Sequence, residues 1–322
     1  MTAYLLRRLL SSLLLVWGVL TVTFFVVHLA PGDPVDLLSG PETTAEDLAR
    51  LRAAYGLDRP VAVRYVDWLG GVLRGDLGIS LVRQRPVIDV LAETVPRTLQ
   101  LTVGALLLHF VVGSALGLWW TRRGQRLSTR ASDVGALVLY SLPTFWLGLM
   151  LQLLLSYHLR WLPSGGTPAV ALDEVGFATW ILEQVRHLAM PVFVLGLAGT
   201  ASVARVLRNS LMLTLQEDFI RTARAKGLPP RTVFGKHAFR PASVTLVTLV
   251  GLGIPFLLSG AVATEVVFGW PGMGRVTVEA LLARDTPVIL ATTAVSAIMV
   301  VLGNFLADLA YAWVDPRIRV DS

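Results

Sequence analysis

"EDFIRTARAKGLPPRTVFGKHAFRPA", Glu217–Ala242, lies between two long apolar runs and is the most basic part of a chain otherwise poor in charge. Leu211, Leu215, Phe219 and Ala223 recur every four residues, so a helix is expected to run towards Lys226. Gly227 is placed to stop it, and Pro229 and Pro230 prevent its continuation. "RTVFGKHAF" can form a second short helix, ending where Pro241 opens the next apolar run. The expected product is helix, sharp turn, helix, tied at both ends to long apolar segments. A push on such an element moves both segments, so it has the makings of a docking lever. The plainer alternative is an ordinary loop whose arginines only fix topology.

The rest of the chain explains why such an element stands out. Of 322 residues, 54% are hydrophobic and only 16% charged, where a soluble domain carries about 25% charged residues. Uncharged runs cover Leu9–Gly32, Thr98–Thr121, Val134–Leu159, His187–Ala204, Pro241–Thr264 and Thr286–Ala307. A helix needs about 20 residues to cross a hydrocarbon core of roughly 30 Å, so six spans fit. The fourth is the shortest and contains Pro191. The first follows Arg7 and Arg8 and is longer than the usual core of a secretory signal, so it is expected to stay as an uncleaved span.

Composition also removes function classes. Cysteine is absent, which excludes disulfides and thiolate metal sites. The net charge of +6 need not mean nucleic acid, because the basic residues flank membrane-length runs. No "GxxxxGK" loop or zinc-ligand spacing occurs, so the chain is not expected to be its own ATPase. No span carries a charged residue near its centre, whereas carriers driven by protons or sodium usually need one. The driving force is therefore expected to come from elsewhere. A proton-coupled carrier and a non-transport membrane scaffold are the readings of another class.

Six spans put both termini on one side. That side holds Arg7 and Arg8, the 120–133 loop with four arginines against Asp133, and the 205–240 loop with eight basic residues against Glu217 and Asp218. The opposite side holds the 30–97 segment and the 158–187 and 265–285 loops, each net acidic. The basic side is expected to be cytoplasmic.

Outside the spans, "TTAEDLARLRAAYG" reads as a short helix capped by Thr44, with Asp47 at the third helical position and Gly56 at its end. A second starts near Pro60, with Val61, Tyr65, Trp68 and Val72 at helical spacing, lying on the membrane surface or in a small packing domain. "GDLGIS" is a turn, and "RPVIDVLAETVPRTLQL" leads into the second span. Pro143 and Pro255 fall inside spans three and five, where they are expected to kink a helix. Gly251, Gly253 and Gly260 allow close helix contact, Asn304 is expected to bond to a neighbouring helix, and His109 to be a neutral packing histidine.

"IRTARAKGLPPRTVFGKHAFRPA" resembles the cytoplasmic loop of permeases of ABC importers, in their dipeptide/oligopeptide branch. "LLRRLLSSLLLVWGVLTVTFFVVHLAPGDP", "YGLDRPVAVRYVDWLGGVLRGDLGIS", "LYSLPTFWLGLM", "FGWPGMGR" and "LADLAYAWVDPRIR" resemble the same branch, in order and over essentially the whole chain. The first permease subunit of such systems is the nearest pattern. The resemblance implies an all-α polytopic membrane protein of six transmembrane helices, with the type I importer permease fold and an external helical insertion. Its parts would be 1–32 (cytoplasmic end and first span), 33–97 (insertion), 98–309 (core of five spans with a coupling loop at 207–240) and 310–322 (cytoplasmic tail). It implies a homologous second permease, two ATPase subunits and an external solute-binding protein in a bacterial or archaeal cytoplasmic membrane. Cofactors are expected on the partners alone, as ATP and Mg on the ATPases. Short peptides are the expected cargo, while members of the branch also carry nickel chelates, glutathione or sugars. The residues expected to couple to the ATPase are Phe219, Thr222, Ala223, Arg224, Lys226 and Gly227. Where the broader motif begins Glu-Ala-Ala, this chain has Thr222-Ala223-Arg224, so no role of the leading glutamate carries over. Ser259, Thr264 and Glu265 are candidates for the translocation path, and a satisfied polar patch at the membrane interface is the alternative for them.

Overall fold

Apolar runs of this length become helices because a helix satisfies its own backbone hydrogen bonds where no water can. A computed structural model describes residues 2–29, 44–54, 56–124, 126–168, 175–250, 253 and 261–314. The first helices are α1 (Thr2–Leu29), α2 (Ala45–Ala54), α3 (Val61–Leu73), α4 (Val87–Arg123), α5 (Leu127–Ser141), α6 (Thr144–Leu151) and α7 (Phe177–Leu197). They are followed by α8 (Thr200–Thr214), α9 (Asp218–Ala225), α10 (Pro230–Thr232), α11 (Phe239–Ala242), α12 (Val262–Val267), α13 (Met273–Leu282) and α14 (Thr286–Val314). Among the described residues the β contact is a single bridge between Ile79 and Pro86. The chain divides into two compact units, Met1–Thr98 with Pro271–Val301, and Leu99–Trp270 with Leu302–Ser322.

Stretches of α1, α4 and α14 are each long and apolar enough to cross a membrane. Two further candidates are bent pairs rather than the straight runs that composition suggests. The third expected span breaks between α5 and α6 with a bend of 103°. Leu142, before Pro143, is extended (φ −76, ψ 135), as a residue preceding proline prefers, and α6 restarts after Pro143. Pro143 therefore ends one helix instead of kinking a continuous one. Beyond α6, Gln152–His158 widens into a π-helical turn. The fourth expected span bends by 50° between α7 and α8. The bend falls at Ala198–Gly199, while Pro191 lies buried inside α7 without breaking it. The fifth expected span is described only up to residue 250 and at 253 and 261–264. Pro255, Gly251, Gly260 and Ser259 lie outside the described residues.

In the first unit, α3 docks on α1 through aromatic rings. Phe24 is 1% exposed, with the rings of Tyr65 and Trp68 at 5.3 and 5.2 Å. The Tyr65 hydroxyl lies 2.7 Å from Thr21 Oγ1. The opposite stripe of α3, with Val63, Val66 and Leu73, stays exposed. α2 begins with a reciprocal cap: the Asp47 amide donates to Thr44 Oγ1 and the Thr44 amide to the Asp47 carboxylate, each at 3.2 Å. The Thr44 hydroxyl, donating to the same carboxylate at 2.6 Å, holds Asp47 below its ordinary range.

The turn after α3 is held by a buried carboxylate. Asp285 is 2% exposed and accepts from the Ser80 hydroxyl at 2.5 Å and from the amides of Leu81 and Val82 at 3.1 and 3.2 Å. Burying a carboxylate is expensive unless such donors surround it. The latch stands beside a core of Val87, Val90 and Leu91 from α4, Met273, Val276 and Ala280 from α13, and Val288, Ile289 and Ala291 from α14. Arg85 forks onto Glu93 with two bonds of 2.7 Å. α4 starts at Val87 and runs 37 residues, so the expected lead-in and second span form one helix through Pro96.

Asp285→Ala leaves the Ser80 hydroxyl and two amides without their acceptor and is expected to cost about 3 kcal/mol. The readout is a lower unfolding midpoint of the purified protein with faster proteolysis within 79–86, and Asp285→Asn, which keeps an acceptor, is expected to lose less.

Candidate functional site

The basic segment folds as an elbow on one hydrophobic cluster. α8 presents Leu207 and Leu211, both fully buried. The expected continuous helix stops there: Leu215 and Gln216 turn, and Glu217 is extended (φ −66, ψ 150) as the residue before α9. The four-residue apolar repeat persists across this corner, which is why spacing alone reads as a single helix. The polar run Gln216–Asp218, which places Asp218 in the first turn of α9, is the signal for a new start.

α9 has eight residues, too few to persist in water alone. It is held by Ile220 (0% exposed) and Ala223 (5%), which pack with Leu207 and Leu211 of α8 and with Val233, Ala238 and Ala242. Burying an isoleucine of this kind contributes roughly 2–3 kcal/mol. At the end of α9 the Gly227 amide donates to the Arg224 carbonyl (3.0 Å) and the Leu228 amide to the Ala223 carbonyl (3.3 Å). Gly227 has φ 74, the left-handed region that this closing turn needs and that side chains disfavour. Leu228 then packs against the same cluster. The expected second short helix is present as α10, a π-helical Val233–Ala238 and α11, with Pro230 at its start.

The expected coupling residues therefore divide into two groups. Phe219, Thr222, Arg224, Lys226 and Gly227 are exposed. Ala223 faces inward, because α9 needs a small residue where it packs on the cluster. Thr222 Oγ1 donates to the Asp218 carbonyl at 3.0 Å. Beside the elbow an open cleft of about 810 Å³ is lined in part by Arg122, Arg224 and Arg231. The Arg122 guanidinium lies 4.7 Å from the centre of the Phe234 ring.

The elbow is continuous with the membrane-length helices. Gly113 and Gly117 of α4 meet α8 closely: an added Cβ would fall 2.7 Å from Val203 Cβ and 2.7 Å from the Ala204 carbonyl oxygen. The sequence signal for this contact is the G-x-x-x-G spacing of "GSALG", Gly113–Gly117. At the α7–α8 bend the His109 ring hydrogen-bonds the Gly196 backbone and lies against Gly199. It is a packing histidine in this environment. Asp133 of α5 pairs with Arg205 of α8 at 2.8 Å, and the Trp120 indole donates to Ser132 at 2.7 Å.

The residues named for a translocation path are placed differently. Thr264 and Glu265 are 2% and 0% exposed within α12, and Ser259 is outside the described residues. Asn304 is exposed on α14 rather than covered by a neighbouring helix of this chain. Among the described residues no cluster of three or more potential metal ligands occurs.

The family described as binding-protein-dependent transport system inner membrane component matches residues 111–320, and its N-terminal counterpart matches residues 1–102. The chain is 36% identical over 320 residues to the oligopeptide transport system permease protein AppB of Bacillus subtilis (strain 168), covering 99% of this chain and 100% of that one. It is 39% identical over 337 aligned positions to the dipeptide transport system permease protein DppB of Escherichia coli (strain K12), covering 99% of each. A structure of the MetNI methionine ABC transporter in inward-facing conformations aligns with a TM-score of 0.54 at 20% identity, covering 71% of this chain and 97% of that one. That likeness is one of fold.

Ile220→Ala is expected to remove about 2–5 kcal/mol from the packing that holds α9. Hydrogen exchange of the purified protein is expected to show lost protection within 218–228, while α14 keeps its own.

Proposed function

The chain belongs to the family of binding-protein-dependent transport system inner membrane components, and from that premise we propose that it is a permease subunit forming half of the translocation path of an ATP-driven importer of short peptides. The names of the full-length relatives support the cargo class. The fold likeness to an ABC transporter supports the architecture. The observation that carries the mechanism is the elbow: a short helix whose inner face is locked into the protein and whose outer face offers Phe219, Thr222, Arg224 and Lys226.

In this reading two ATPase subunits bind and hydrolyse ATP with Mg, and no phosphate chemistry belongs to this chain. A second permease subunit completes the path and an external solute-binding protein delivers the cargo. The ATPase grips the exposed side of α9. Arg224 and Lys226 meet acidic groups or helix ends there, and Phe219 fills an apolar recess. Ile220 and Ala223 pass the displacement to Leu207 and Leu211, hence to α8 and its bend with α7. Gly227 keeps the turn closed, so that α9 and the segment after it move together. The elbow faces the cytoplasm together with both termini, which the distribution of arginines supports. The membrane is then the cytoplasmic membrane of a bacterium or archaeon.

Gly227→Val forces a branched side chain into the left-handed region. The full complex in vesicles is expected to keep its subunits and its ATP hydrolysis but to lose most peptide uptake; normal uptake would remove the lever. In a second test, a reagent confined to the cytoplasm is expected to label a cysteine introduced at position 231 and to spare one at position 80. The reverse pattern overturns the orientation.

A further inference from the structure

α3 has three distinct faces where a helix on a soluble core needs two. Tyr65 and Trp68 turn towards α1. Ala62, Val66, Leu69 and Leu73, at i, i+4, i+7 and i+11, make a second apolar stripe, about 100° round the helix from the first at 3.6 residues per turn. Ala62, Val66 and Leu73 are exposed, and Leu69 is half-buried. Arg64, Asp67 and, just past the end of the helix, Arg74 occupy the remaining side. Asp67 pairs there with Arg59 at 3.1 Å, both side chains more than half exposed.

Two observations fix the level at which this helix lies. The residues of α1 that meet it, Thr21, Phe24 and Phe25, belong to the membrane-length stretch Leu10–Leu29. At 1.5 Å per residue the contact falls roughly 6–12 Å inside the end of that stretch. The chain beyond α3 gives the second marker. Leu77 packs with Val27 of α1 against the cluster that holds Val288 and Ile289, at the start of the membrane-length stretch of α14. A Cβ at Gly78 would lie 3.7 Å from Pro287, and Ser80, Leu81 and Val82 are latched to Asp285. The end of one crossing and the beginning of another therefore stand together, and α3 is held at that boundary.

A helix lying in such a boundary layer turns one side to acyl chains and another to water, with its apolar face about 5–10 Å deep. We propose that α3 is immersed in the boundary layer of the bilayer. Ala62, Val66, Leu69 and Leu73 rest on acyl chains, and Arg64, Asp67 and Arg74 point to headgroups and water. Trp68 is then a packing group on α1 rather than the lipid contact. The segment after the first crossing thus begins inside the bilayer, and the latched turn at 79–86 is carried at its surface. The inference needs α1 to cross a membrane; the permease reading enters only in naming this the outer leaflet.

The chain has no cysteine, so single cysteines report each face. The complete complex, with any partner cysteines replaced, is placed in phosphatidylcholine nanodiscs and labelled with a small fluorophore. Two quenchers are compared: a nitroxide near the head of the acyl chain, and iodide in water. At Val66→Cys and Leu73→Cys the lipid quencher is expected to exceed iodide about threefold, with the order inverted at Asp67→Cys. If either stripe variant fails to assemble, Ala62→Cys reports the same face. Iodide quenching that dominates at 66 and 73 would put the stripe in water and overturns the proposal. Protection from both quenchers would mean a protein cover, which also overturns it. Omitting the solute-binding protein then separates that cover from a second permease subunit. Lipid quenching at 67 equal to that at 66 would overturn the orientation in the plane. Gels of the same nanodiscs show whether ATPase subunits are present, so failure of the permease reading is seen separately from failure of the lipid contact.

Discussion

The burial of Ile220 and Ala223 is the contact on which the functional reading depends. A helix of eight residues has no stability of its own to lend. Once two of its side chains sit among Leu207, Leu211, Val233, Ala238 and Ala242, it moves as those residues move. Close-packed interiors respond to displacement by shifting together rather than by yielding, because they contain little free volume. A surface helix is thereby tied by packing to α8, and the G-x-x-x-G contact of α4 continues the same packing without a layer of large side chains between. The charged residues of the segment lie on the side left free by this arrangement.

The membrane-spanning part of the fold was legible because its cause is simple. Uncharged runs of sufficient length have few alternatives in a bilayer, and the all-helical fold with its membrane-length elements follows. Where the chain bends was less legible. Pro143 and Pro191 look alike in an apolar run, yet one ends a helix and the other is absorbed within one. The difference lies in tertiary surroundings: Pro191 is buried in α7, while the sharp turn at Pro143 leaves Leu142 extended. The 50° bend falls at Gly199, against the His109 ring from a distant part of the sequence, and no local pattern announces that neighbour.

At the elbow, the turn was readable down to the residue. Gly227 and the two prolines state where a helix must stop, and the hydrogen bonds of the closing turn agree. The corner at Leu215–Glu217 was not, since the apolar repeat carries over from α8 to α9 while the backbone changes direction. The inward orientation of Ala223 follows from the same fact, for the phase of α9 is set by its own packing rather than inherited from α8. The π-helical Val233–Ala238 has no signature in composition, because an extra residue in a turn is a response to packing. The buried Asp285 was likewise hidden, as its three donors come from a segment some two hundred residues earlier.

The docking of α3 on α1 bears on how the polypeptide is made. Phe24 and Thr21 lie within the apolar stretch of α1, and both are met by side chains that emerge some forty residues later. During synthesis the first crossing must therefore wait in the lipid with that flank bare. Tyr65 and Trp68 reach it only after the intervening chain has been synthesised. Insertion and local folding are thus sequential for this part of the molecule, and a nascent chain halted before Tyr65 would hold a crossing that is seated but not yet clothed.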